Sequence, residues 1–330
     1  MSAEDDKFAP HRGAPEGREQ AQSARPMRVN LAAIVEQLCV GNGDLVRSTR
    51  DLPHCAQPLP SRDAAIAVVE SLRAVLFPGY FGTSELNPSN LRFHVGHTLD
   101  GVGRALREQV RRGLCFNCGE PTRCPACEKQ ADEITDAFLN GLPKLQRVLA
   151  ADVQAAFEGD PAATSSDEAI FCYPGIIAIT NFRIAHELHV LGVPLLPRLI
   201  TEHAHSITGI DIHPGATIAE AFFIDHGTGV VIGETCIIGR KVRIYQGVTL
   251  GAKSFPLDGD GQPIKGIPRH PIIEDEVIIY SGATILGRVT IGRGSVIGGN
   301  VWLTHSVPPG SRVAQPQQQA RCEIFDNGGG

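Results

Sequence analysis

The 330-residue sequence has no run of the roughly 18 apolar residues that a bilayer-spanning helix requires, so no membrane association is expected. Its first residues lack the apolar core of a secretory signal. No block of basic residues stands out, and a net charge of -6 with a pI near 6.1 argues against nucleic acid or another polyanion as partner. There is no phosphate-cradling P-loop and no G-x-G-x-x-G after a strand-like segment, which leaves ATP and nicotinamide chemistry without support. His186-Glu187-Leu188-His189 lacks the i, i+4 histidine spacing of a metalloprotease helix and reads as a packed helix. With no export signal, nine cysteines imply a reducing, cytoplasmic setting and free thiols.

A period of six dominates the second half. Ile212, Ile218, Ile224, Val230, Cys236, Val242 and Val248 fall six apart, and the spacing resumes at Val277, Ala283, Val289, Ser295, Val301, Val307 and Val313. Two residues further on runs a second register: Ile232, Ile238, Ile244 and Leu250, then Ile279, Ile285, Ile291, Ile297 and Leu303. A helix repeats its apolar residues every three or four positions and a strand every two. A sustained six predicts short flat strands joined by tight corners and coiled into a parallel β-helix.

Ahead of this coil the pattern is helical. Residues 1–28, nearly free of aliphatics, read as a disordered tail. A helical domain is expected over 29–206, with helices from Asn30, over Ser61–Leu76, from Asn87 into Val110, over Asp132–Leu139 and Lys144–Phe157 on either side of Gly141-Leu142-Pro143, over Ile176–Leu191 and over Leu195–Ser206. The β-helix follows over 207–314, and 315–330 reads as a flexible polar tail. Within the coil, residues 251–269 carry no period, and Leu250 and Ile279 are 29 apart, which six does not divide. An extruded loop is predicted there, and long loops on rigid scaffolds are usually functional.

Cys115-x-x-Cys118 and Cys124-x-x-Cys127 form two knuckles, expected in a loop with Gly119, Pro121 and Pro125. Four thiolates at this spacing suit a zinc ion or an iron–sulfur cluster, with a structural or regulatory role.

D-I-H-P-G-A (Asp211–Ala216), F-I-D-H-G-T-G-V-V-I-G-E-T (Phe223–Thr235), Y-Q-G-V-T-L-G-A (Tyr245–Ala252), R-H-P (Arg269–Pro271) and G-A-T-I-L-G (Gly282–Gly287) resemble the motifs of the serine O-acetyltransferases, a family of hexapeptide-repeat acyltransferases. G-D-P-A-A (Gly159–Ala163) and N-F-R-I-A-H-E-L (Asn181–Leu188) extend the resemblance to roughly 149–313. It implies an α+β chain: an all-helical N-terminal domain, then a left-handed parallel β-helix. It also implies acetyl transfer from acetyl-CoA to the hydroxyl of L-serine, giving O-acetyl-L-serine for cysteine biosynthesis. The four-cysteine cluster is not part of the family pattern.

The chemistry is consistent with that reading. Acyl transfer to an alcohol needs a base, and an imidazole at His226 suits neutral pH. Asp211 precedes it by a little less than one turn of coil. With about 18 residues per turn, as the superfamily has, the two would lie on neighbouring rungs roughly 4.8 Å apart, within reach of a carboxylate–imidazole hydrogen bond. By spacing alone the pair reads equally well as a corner aspartate and a satisfied corner histidine. Serine is a zwitterion. Arg269 and His270 are candidates for its carboxylate, and Asp225 and Asp160 for its ammonium, with Asp167 a competitor to Asp160. The resemblance implies a homotrimer, with two trimers pairing through the helical domains as a further option. Acetyl-CoA would lie between neighbouring β-helices, with Gly251, Ala252, Ser281 and Gly298 as candidate contacts. Many members dock a C-terminal isoleucine into O-acetylserine sulfhydrylase. Here Ile324 is internal and Gly330 is last, so no tight tail-mediated complex is expected. Two alternatives remain: a hexapeptide acyltransferase for another acceptor, and a β-helical carbonic-anhydrase-like enzyme binding metal between subunits through His213, His226 and His270.

Overall fold

The computed structural model describes residues 29–38, 58–83, 85–118 and 124–315. The tails expected over 1–28 and beyond Gln315, Ile324 included, lie outside them. Two compact units divide the chain, Met1–Leu52 and Pro53–Gly330. The first contains helix α1 (31–38), where Asn30 Oδ1 accepts the Ala33 N–H at 3.2 Å.

The second unit begins with helix α2 (Arg62–Leu76). Ser61 caps it by accepting the Ala64 N–H, and Val68, Val69, Leu72 and Leu76 form its buried stripe. α3 (Leu91–Cys118) runs past Val110, because its stripe of Val102, Leu106 and Val110 continues through Leu114. α4 (Pro125–Gly159) is one helix of 35 residues where two were expected. Pro143 removes one N–H from its interior, at a cost of about 3 kcal/mol. The buried stripe of Phe138, Leu142, Leu145 and Leu149 spans the proline, and at about 1.5–3 kcal/mol per side chain its burial outweighs that cost. α5 (Ser166–Cys172), α6 (Pro174–Val190) and α7 (Leu196–Thr208) follow. Gly209, at φ 70°, ends α7 and turns the chain into the coil.

Among the described residues, fourteen short strands then form three parallel sheets. The first face holds β1 (Asp211–Ile212), β4 (Val231–Ile232), β7 (Thr249–Gly251), β10 (Thr284–Leu286) and β13 (Trp302–Leu303). The second holds β2 (Thr217–Ile218), β5 (Ile237–Ile238), β8 (Ile272–Ile273) and β11 (Thr290–Ile291). The third holds β3 (Phe223–Ile224), β6 (Arg243–Ile244), β9 (Ile278–Ile279), β12 (Val296–Ile297) and β14 (Arg312–Val313). Most neighbours within a face are three strands apart in sequence, as a three-sided left-handed β-helix requires. Ile232, Ile238, Ile244, Leu250, Ile279, Ile285, Ile291 and Ile297 stack inside, almost wholly buried.

The register differs from the simple period in two places: in the last turn Val307 and Val313 pair with Ile291 and Ile297, only 16 positions back, and the first turn is lengthened. Asp211 pairs with Val231, and Val231 pairs with Thr249, so the first turn of the coil is two positions longer than the second. Ile212, Ile218 and Ile224 therefore stack on Ile232, Ile238 and Ile244, not with the Val230 series. The first-coil counterparts of Val230, Cys236 and Val242 are Ile210, Ala216 and Phe222, all buried. Two extra residues between Ile224 and Val230 shift the phase. Either alignment buries apolar residues, so periodicity alone could not separate them.

Residues 252–271 leave the coil between β7 and β8, and much of this segment is exposed. The helices are tied to the first coil by a buried ion pair. Arg183 Nε and Nη2 donate to Asp152 at 2.6 and 2.8 Å, and the guanidinium also donates to the Ile218 and Ala219 carbonyls. Asp152 Oδ1 in turn accepts the Phe222 N–H at 2.9 Å. The end of α4 lies so close to β3 that a Cβ at Gly159 would come within 2.6 Å of Phe223 Cδ1. Among the described residues no helix is long and apolar enough to cross a membrane.

Candidate active site

The phase shift has a local cause. The corner from the third face to the first uses five residues, Asp225–Gly229, where the next coil uses three, Tyr245–Gly247. The longer corner carries His226 outward at φ 56°, with its side chain 73% exposed. A non-glycine residue adopts such a conformation at a cost, and such residues cluster at functional sites. Asp225 is half-buried beneath it, its Oδ1 3.9 Å from His226 Nε2.

Asp160, just past the end of α4, faces the same corner. Its carboxylate accepts the Tyr173 hydroxyl at 2.6 Å and the Ala162 N–H at 2.8 Å. These bonds, with His226 and Arg243 nearby, hold its pKa below the usual carboxylate range. Asp167 accepts the Tyr80 hydroxyl.

Asp211, half-buried, shares this edge at the start of β1. The hydrogen bond to His226 expected from a regular coil is not formed among the described residues. The first turn closes two positions late, so the rung partner of Asp211 is Val231, and His226 stands five residues earlier on the lengthened corner.

A second constellation occupies the edge between the first and second faces. Arg269 Nη2 donates to Glu234 Oε2 at 2.6 Å. Thr235 Oγ1 accepts the backbone N–H groups of Arg269 and His270 at 2.9 and 3.1 Å. The Thr235 N–H donates to His270 Nδ1 at 3.1 Å, which leaves the ring proton on Nε2. Burial, then the neighbouring Arg269 charge, lowers the His270 pKa to about 4, so the ring is neutral at pH 7. The ring packs on bare backbone: a Cβ at Gly233 would come within 2.1 Å of His270 Cδ2. His213 on the same edge accepts the Gly215 N–H at Nδ1, and burial followed by the Arg198 charge lowers its pKa to about 4 as well. Burial acts to raise the Glu234 pKa, but its hydrogen bond and ion pair with Arg269 hold it below the ordinary value.

The candidate residues thus divide between two edges. Asp211, Asp225 and His226 lie along the first, near Asp160, and Ser281 and Gly298 follow on the same edge at the corners after β9 and β12. Arg269 and His270 lie along the second, with Gly251 and Ala252 where the loop leaves β7. The first face separates them by its width, roughly 15 Å at five extended residues. Three partners have no assigned role from spacing: Tyr173, which anchors Asp160, and Glu234 and Thr235, which fix Arg269 and His270. The last two fall within the G-E-T already singled out, whereas Tyr173 has no signal in the sequence.

The four cysteines are not in a loop as expected. Cys115 and Cys118 lie in the last turns of α3, Cys124 caps α4 and Cys127 lies in its first turn. Cys115, Cys118 and Cys127 form the one group of three or more metal-ligating side chains among the described residues. Of the three histidines of the carbonic-anhydrase-like alternative, His226 lies on one edge of the coil and His213 and His270 on the other.

A coil of six-residue repeats, bearing an exposed histidine with carboxylates beside it and a fixed arginine, defines an acyltransferase of the hexapeptide-repeat class. The family of bacterial transferase hexapeptide (six repeats) matches residues 270–305. A plasmid-borne serine acetyltransferase of Synechococcus elongatus is 56% identical over 292 residues, 86% of this chain and 91% of that protein. The serine acetyltransferase of Bacillus subtilis is 49% identical over 186 residues, 54% of this chain and 82% of that protein. Among solved structures, serine acetyltransferase 1 of Entamoeba histolytica in complex with L-cysteine superposes with a TM-score of 0.66 at 36% identity, covering 86% of this chain and 97% of that one. The chain belongs to the serine acetyltransferase family.

Proposed function

We propose that this acyltransferase acetylates L-serine in a groove shared by two copies of the chain, one supplying the His226 edge and the next the Arg269 edge. The observation that carries this is the division of the site residues between two edges of one β-helix, too far apart for a single serine to bridge. The face between them supports it, since its outward Val231 and Trp302 are 37% and 69% exposed, more apolar surface than a lone coil has reason to present. Three copies arranged cyclically give three equivalent grooves.

In this reading Arg269 takes the serine carboxylate through the N–H groups left free by Glu234, and the His270 Nε2–H adds a second donor. Asp160 and Asp225 receive the ammonium. His226 removes the hydroxyl proton as the serine oxygen attacks the thioester carbonyl of acetyl-CoA. The tetrahedral intermediate collapses by breaking the C–S bond, and His226 returns the proton to the departing thiolate. Asp211, on the same edge one coil earlier, steadies the imidazolium as substrate closes the corner. Gly251 and Ala252 on one copy and Ser281 and Gly298 on the other line the path for the pantetheine arm. L-cysteine, held in the structure of the Entamoeba relative, carries the same ammonium and carboxylate as serine, and in this reading it competes for the serine pocket.

Mixing two inactive variants tests the shared groove. His226→Ala and Arg269→Ala chains, dissociated and reassembled together at equal amounts, should recover about a quarter of wild-type activity, the share of grooves that unite two intact edges. No recovery, with mixed assembly verified, would place both edges of a site on one chain.

A further inference from the structure

The four cysteines stand apart from the transfer chemistry, and their geometry is that of a binding site. Cys115 and Cys118, three residues apart, share one face at the end of α3. Cys124 and Cys127 flank the start of α4. The sulfurs of Cys115, Cys118 and Cys127 all lie within 4.8 Å of one another, and Cys127 also contacts the Cys124 thiol. Cys115, Cys124 and Cys127 are at most 9% exposed. Two helix ends therefore bring three sulfurs to one point, with the fourth, Cys124, beside Cys127.

We propose that these four thiolates bind a single zinc ion in tetrahedral geometry, clamping the tip of the α3–α4 hairpin. With Zn–S bonds of about 2.3 Å, a tetrahedral site sets its sulfurs roughly 3.8 Å apart, in keeping with the crowding of the three sulfurs. An iron–sulfur cluster interposes iron and sulfide between its thiolates and needs them further apart. A divalent ion with four thiolates carries a net charge of about -2. Two features offset it. The N–H groups of the first turn of α4 present the positive end of that helix to Cys124 and Cys127. On α3, the Arg111 Nη1 lies 3.9 Å from Cys115 Sγ. Binding exchanges the four thiol protons for the ion and involves no redox step.

The clamp sits where the hairpin benefits from it. α3 and α4 pack along their lengths through an Arg107–Asp132 ion pair and through Leu139 at Gly103, so they run antiparallel. The cysteines close the end where the two helices join.

Elemental analysis of the full chain, purified without chelator, is the test. One zinc per chain is expected, with loss of that zinc in the Cys118→Ser/Cys127→Ser double variant. Exchange into cobalt(II) should give the near-ultraviolet thiolate-to-metal absorption and visible bands of a tetrahedral site. If the double variant does not fold, wild-type chain stripped with a mercurial and chelator provides the second measurement, and its Tm should rise when one equivalent of zinc is restored. Four reactive thiols with no bound metal would overturn the site. Iron with acid-labile sulfide at these cysteines would overturn the zinc assignment.

Discussion

His226 combines a left-handed backbone, high exposure and a carboxylate 3.9 Å away, which suits a base that must meet a substrate arriving from outside its own chain. His226→Ala should lower turnover at least ~10²-fold while leaving acetyl-CoA affinity nearly unchanged. Near-normal turnover of that variant at neutral pH would remove the base from the mechanism. In the proposed site Glu234 is a positioning residue that acts through its hydrogen bond with Arg269. Glu234→Gln keeps the shape but weakens the hold on the guanidinium, so the KM for serine should rise several-fold more than that for acetyl-CoA. Equal changes in both constants would instead indicate a general disturbance of the loop. His226, Arg269 and the aspartates stand out in the sequence because their residue types and motifs carry chemistry, and their roles belong to the proposed mechanism. Tyr173 was not legible, because its role comes only from meeting Asp160 across a turn between helices.

Among the elements, the junction of helices and coil rests on Arg183 and Asp152. Asp152→Ala would strand a buried guanidinium and remove the acceptor of the Phe222 N–H. It should destabilise the fold by about 3–5 kcal/mol, measurable by denaturant titration. The corners on the Arg269 edge predict a pH response. His213 and His270 have folded pKa values near 4, below the ~6.5 of an unfolded imidazole. Between those values the unfolded chain binds more protons, so the stability these residues contribute is present above about pH 6.5 and is lost as pH falls towards 4. The Tm should therefore decline across that window, and less steeply in His270→Gln. A flat profile from pH 6.5 to 4.5 would contradict the burial of these rings. The short strands were legible from their period. The continuity of α4 through Pro143 was not, because it depends on what the two halves of that helix pack against.

For the molecule as a whole, the proposed shared groove requires association. Light scattering should give a mass at least three times the 35.3 kDa of the chain, and an active monomer would refute the shared groove. The coil itself was legible in outline, since only a stacked prism satisfies a period of six across more than a dozen units. Its phase was not, and of the three places where the phase breaks, the two that lengthen a turn carry candidate site residues. A coil of constant turn length brings each position back above its own kind, so perfect repetition can build a pillar but has no means of setting an unlike side chain apart. Val231 and Thr249 mark the regular count of 18, three sixes. The chain departs from that count three times: rung partners are 20 apart across the corner of His226, 35 apart across the loop that ends at Arg269, and 16 apart in the last turn, at Val296 and Arg312. The excesses, 2 and 17, are not multiples of six, so neither is an added repeat, and each is followed by a return to the same stacking. In sequences of this architecture, the remainder left after division by six becomes an address: the residues out of step are the first place to look for chemistry, and a deletion that restores the count should yield a sounder prism without a working site.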